Sequence, residues 1–83
     1  LDRIKTKKII FRLKEFDSKL TLNLPNVKFI IDSNDTITVN YEKDSINFEQ
    51  LINYLKEKNL KILDIRDDTN QRKYFVYKKQ LPQ

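Results

Sequence analysis

Three aspartates crowd one point of the chain: Asp64, Asp67 and Asp68. Carboxylates gathered near a strand end could hold a hard cation such as Mg²⁺, which takes oxygen ligands. The same residues also make an ordinary solvated turn with an N-cap. That reading is the stronger one, because no phosphate-binding loop accompanies them. Other reactive groups are few. The 83 residues include no His and no Cys, so catalysis would rest on carboxylates, Lys, Tyr, Ser or Thr. Paired carboxylates need a dry cleft to split their pKa values, and no nucleophile stands beside a base. There is also no Gly. The phosphate loop and the dinucleotide fingerprint both require it, for backbone N–H groups at close approach and for positive φ. The residues argue against an enzyme, and they mark no catalytic, cofactor-binding or metal-binding side chain and no cofactor.

The second chemistry to weigh is charge. Seventeen basic and twelve acidic residues give +5, a balance compatible with nucleic acid or an anionic surface. Arg12, Lys14 and Lys28 could hold phosphates without sequence preference. An RNA-binding sheet would also need aromatic platforms. Phe11, Phe29 and Tyr41 are in phase with Ile9, Leu13, Val27, Ile31, Ile37 and Val39, which assigns them to the core face. The opposite face would show Arg12, Lys14, Lys28, Thr36, Thr38 and Asn40. The heavy use of Lys, Ile and Asn is also what an A- and T-rich genome encodes whatever the function.

These side chains must be positioned by something, and one stretch organises the rest. Phe48, Leu51, Ile52 and Leu55 fall at i, i+3, i+4 and i+7, the apolar stripe of a helix over 47–58. Asn47 and Gln50 have capping-box spacing, with Ile46 and Leu51 placed as a hydrophobic staple. Lys56 and Lys58 suit the last turn, and Asn59 suits a left-handed cap. Alternation predicts strands over 4–16, 27–32 and 36–42, the last two joined as a hairpin by Asp32-Ser33-Asn34-Asp35. A fourth strand, 60–66, is expected in the sheet interior because its apolar residues face both ways. Residues 17–26 read as a connection with some strand character, and Pro25-Asn26 as a turn.

The fold expected is α+β: a ferredoxin-like β(α)ββαβ pattern with its first helix reduced. Strand four would lie beside strand one in a four-stranded antiparallel sheet, one face covered by helix 47–58. The tail, 67–83, is left open between helix and strand, although Tyr74-Phe75-Val76-Tyr77 has strong strand propensity. Residues 1–83 make a single small domain, read as a piece of a longer chain. No apolar run reaches the ~18 residues that a membrane span requires.

With these elements in place the chain resembles a known family: the C-terminal accessory domain of ABC transporter ATP-binding subunits, in the ABC-2-type exporter group. The likeness lies in Lys5-Thr6-Lys7-Lys8-Ile9-Ile10 opening the first strand, and in the hairpin Asp32-Ser33-Asn34-Asp35-Thr36-Ile37-Thr38-Val39. It continues in the Ile46-Asn47 helix start and in Leu60-Lys61-Ile62-Leu63-Asp64-Ile65-Arg66, a strand ending in Arg. It covers about residues 4–77. The chain departs from the family near its end, where Thr69–Val76 lacks the usual Leu and acidic pair.

The resemblance implies a non-catalytic regulatory module in the cytoplasm, held at the inner face of the membrane through its partners. Those partners would be the ATPase core of the same chain, the paired ABC subunit and the nearby membrane subunit; a homodimer is a further partner state. Arg66, Asn70, Tyr74, Phe75 and Tyr77 are the partner-contact candidates. The phosphate-binding alternative uses Arg12, Lys14 and Lys28.

Overall fold

A computed structural model describes residues 6–69. The elements are β1 (Thr6–Leu13), β2 (Val27–Ser33), β3 (Thr36–Glu42), α1 (Phe48–Glu57) and β4 (Ile62–Asp67). The strands form one antiparallel sheet in the order β2-β3-β1-β4. This is the strand order of a ferredoxin-like sheet, with an irregular crossover where the first helix would be. Strand four lies beside strand one, as the pattern predicts.

The register assigns the two faces. Ile9 stands opposite Val39 and Phe11 opposite Ile37, while Val27 and Phe29 face Tyr41 and Val39. Residues directly opposite share a face, so these side chains make one layer. Leu51 and Leu55 of α1 close over it, and both are fully buried. The core is completed by Leu13, Ile37, Val39 and Leu60. Phe16, Leu20, Leu22 and Leu24 pack against it from the crossover, residues 14–26, which does the work of the missing helix.

The ends of α1 are fixed by local chemistry. Gln50 N–H donates to Asn47 Oδ1 at 2.8 Å, and Asn47 N–H donates to Gln50 Oε1 at 3.0 Å, the reciprocal capping box. At the far end Asn59 adopts φ 64. Leu60 N–H reaches back to the Leu55 carbonyl and Asn59 N–H to that of Lys56, which is a Schellman closure. Leu60 and Leu55 are both in the core, so the cap also anchors the start of β4.

Besides β1, which ends at Leu13 rather than 16, two details differ from the sequence expectation. The turn between β2 and β3 uses no left-handed residue: among the described residues those with positive φ are Asn26 and Asn59. A register shift between Ile31 and Ser33 makes Asp32 an extra residue instead, and this bulge supplies the twist that a mirror-image turn would have given. The second difference concerns β4. It is an edge strand, and its side chains are half-buried at Ile62 and exposed from Leu63 to Asp67. Its two-sided apolar pattern reflects an edge with one uncovered side rather than burial on both faces.

Candidate interaction surfaces

The face of the sheet opposite α1 is uncovered by the described residues. Its middle row runs Ile30, Thr38, Ile10, Arg66 across all four strands. Thr38 is 7% exposed although it lies on this open side. Ile10 and Ile30 flank it, and its hydroxyl donates to Asp32 Oδ2 at 2.6 Å. The centre of the face is therefore apolar, with its one polar side chain already satisfied.

Charges surround that centre in equal number. The same register puts Lys8, Arg12, Lys28 and Arg66 on this side, with Glu42 and Asp64, while Asp32 joins it through its bond to Thr38 and Asp68 through its ion pair with Lys8. Lys8 Nζ lies 3.5 Å from Asp68 Oδ2, and Arg12 sits opposite Asp64. The balance extends to the described residues: 6–69 hold eleven basic and eleven acidic side chains. The entire +5 comes from the flanks, where Arg3, Lys5, Arg72, Lys73, Lys78 and Lys79 stand against Asp2.

Of the phosphate-contact candidates, Arg12 and Lys28 share the open face. Lys14 lies just past the end of β1, where its N–H donates to the Lys61 carbonyl. Phe11, Phe29 and Tyr41 belong to the covered face, so among the described residues no aromatic platform lies on the open one. Of the partner-contact candidates, Arg66 is exposed in the middle row. Asn70, Tyr74, Phe75 and Tyr77 lie outside the described residues.

The three aspartates separate. Asp64 pairs across to Arg12 on the open side. Asp67 accepts from Thr69 N–H at 2.9 Å and lies 3.3 Å from Lys7 Nζ. Hydrogen bonds from Thr69, with Lys7 beside it, hold the Asp67 carboxyl below the usual carboxylate range. Asp68 N–H donates to the Lys8 carbonyl, while Thr69 Oγ1 accepts from Lys8 N–H at 3.0 Å. This is a turn clamped onto β1, and among the described residues no group of acidic side chains is arranged to hold a metal ion.

Two further tuned groups are structural. Asp35 at the hairpin tip accepts from the hydroxyls of Ser33 and Thr36, and these bonds lower its pKa. Burial raises that of Tyr41. A shallow depression of about 320 Å³ at one end of the sheet is lined by Thr6, Asn26, Val27, Lys28, Asn40, Tyr41 and Glu42. Its lining pairs no nucleophile with a base.

Sequence reasoning passed over Lys8, Ile10, Ile30 and Asp68 on the open face. The strand alternation that places Arg12 there would have placed Ile10 and Lys8 as well. No described helix is long and apolar enough to cross a membrane. No family model matches this chain, and no characterised protein or solved structure matches it either.

Proposed function

We propose that this domain is a non-catalytic interaction module that docks through its open sheet face. The observation that carries the reading is the layout of that face: Ile10, Thr38 and Ile30 at its centre, ringed by four basic and four acidic residues. An apolar centre with a polar rim is the layout of a protein–protein interface. Balanced charge suits a protein partner with complementary charges. It does not favour phosphate, which asks for an excess of Lys and Arg.

The residue likeness described above locates the module more finely: an accessory domain of an ABC exporter's ATP-binding subunit. It would sit in the cytoplasm at the inner face of the membrane and dock on its own ATPase core, the paired subunit or the membrane subunit. In this reading the domain itself contributes no nucleotide site.

The natural coding sequence upstream of Leu1 is the test. A phosphate loop followed by an ABC signature motif is expected, and an independent start overturns the exporter assignment. The docking face is tested separately, by titrating the wild-type domain and an Ile30→Glu variant against the ATPase core. Ile30→Glu is expected to abolish binding with an unchanged melting temperature. Equal binding by both proteins rejects the face.

A further inference from the structure

The outer edge of β4 carries a second surface, independent of the open face. The Asp68 N–H donates to the Lys8 carbonyl at 2.8 Å, and the pairs Ile10–Arg66 and Arg12–Asp64 continue the same ladder. In an antiparallel ladder the N–H and C=O of one residue point the same way, and the direction alternates along the strand. Asp64 and Arg66 therefore direct theirs at β1. Ile65 and Asp67 turn theirs outward, where no described strand meets them.

Three apolar side chains at this edge are exposed, beside the charged Asp64, Arg66 and Asp67. Leu63 is 50% accessible, Ile65 41% and Phe48 39%. Ile65 and Phe48 both adjoin buried Phe11, one by register and the other by rings stacked at 6.2 Å. Edge strands are commonly blunted by charged side chains, Pro or a bulge. The stretch Asp64–Asp67 contains no Pro, the register shift in this strand pair lies before it, and its charges at Asp64 and Arg66 are of opposite sign, able to pair across a two-fold axis rather than repel.

We propose that β4 pairs antiparallel with β4 of a second copy of this chain, about a two-fold axis at Ile65. The strand is self-complementary around that point. Ile65 faces Ile65 of the partner subunit, and the two residues exchange both backbone hydrogen bonds. Asp64 faces the partner's Arg66, and Arg66 faces the partner's Asp64. These two pairs occupy the non-hydrogen-bonded positions, where Cα atoms approach to about 4.5 Å and side chains are closest. Moving the axis to Asp64 or Arg66 sets like charges opposite each other, and brings together backbone groups already bonded to β1. The pairing joins two sheets into one and is isologous, as a closed dimer requires. Its footprint is one strand with its apolar flank, so the association is weak in the sense of a small interface.

The test is sedimentation of the 83-residue chain from about 1 μM to about 1 mM, a range that covers weak association. The mass is expected to climb from monomer to dimer. Arg66→Asp, which sets Asp against the partner's Asp64, is expected to hold the chain monomeric throughout. Combining Asp64→Arg with Arg66→Asp is expected to restore the dimer. Ile65→Lys offers an independent block at a solvent-exposed position, and a melting curve for each variant separates lost pairing from lost folding. A chain that is monomeric up to the highest concentration overturns the proposal and leaves the edge to residues 70–83 or to a different protein. A dimer indifferent to Arg66→Asp and Ile65→Lys overturns it as well.

Discussion

The N–H of Asn23 donates to the phenolic oxygen of Tyr54 at 2.8 Å, tying the irregular crossover to the helix that packs beside it. The same ring lies 5.8 Å from that of Phe29 at a tilt, and Lys58 Nζ stands 5.5 Å from its centroid. Tyr54 thus joins the crossover, β2 and the end of α1. Tyr54→Phe keeps the ring and removes only the hydroxyl. It is expected to cost about 0.5–1.5 kcal/mol, or roughly 2–12 °C in melting temperature for a domain of this size. Thermal unfolding followed by circular dichroism measures it, and an unchanged melting point would show that Asn23 gains nothing from the contact.

Leu51 and Leu55 are fully buried under the sheet. Either Leu→Ala change leaves a cavity and is expected to cost about 2–5 kcal/mol. That is a large share of what a domain this small can hold, so both variants should be partly unfolded at 37 °C. Urea titration gives the value, and a loss below about 1 kcal/mol would mean that the site collapses around the smaller side chain.

Asn59 and Asn26 occupy the left-handed region at φ 64 and 63. A side chain with Cβ but no local hydrogen-bonding group pays about 1–2 kcal/mol there. Asn59→Ala is expected to destabilise by about 1 kcal/mol, with Asn59→Gly staying close to wild type. Equal effects of Ala and Gly, read from chemical denaturation, would reject the cap as the cause.

Stability should fall at both ends of the pH scale. Asp35 and Asp67 have folded pKa values below the ordinary 3.8, because hydroxyl and backbone donors favour their charged forms. Their contribution is present above that ordinary value and is lost as pH falls through the folded values. Tyr41 is shifted the other way by burial, above 10.0. Its contribution is complete below pH 10.0 and is lost as pH rises through the folded value. Asp67 is exposed and Asp35 half-buried, so the acid effect is small. Asp35→Asn should flatten the acid limb and Tyr41→Phe the alkaline limb of a melting-temperature profile. Limbs that do not move would assign the pH dependence to other groups.

The sequence was most informative where structure is made by neighbours in the chain. The Asn47–Gln50 box, the left-handed Asn59, the Pro25-Asn26 turn and the β2–β3 hairpin each depend on residues a few positions apart. Local chemistry decides them. The edge position of β4 does not depend on neighbours. Its apolar residues face both ways whether it is central or outermost, and only pairing with β1, some fifty residues away, settles which. Thr38 was read as an open-face polar residue, yet it is buried because Ile10 and Ile30 arrive from two other strands. Charge is distributed unevenly: residues 6–69 are neutral, and the whole +5 comes from residues 1–5 and 70–83.

Residues 14–26 pack Phe16, Leu20, Leu22 and Leu24 against the core, but their backbone is tied to the rest of the fold at few places: Lys14 on Lys61, Phe16 on the hairpin tip, Asn23 on Tyr54 and the Leu24–Val27 turn. A helix there would have locked every residue to the next. Few backbone bonds hold this strap to the rest, so its amides, with those of edge strand β2, are expected to exchange faster in hydrogen–deuterium exchange than those of the central strands β1 and β3.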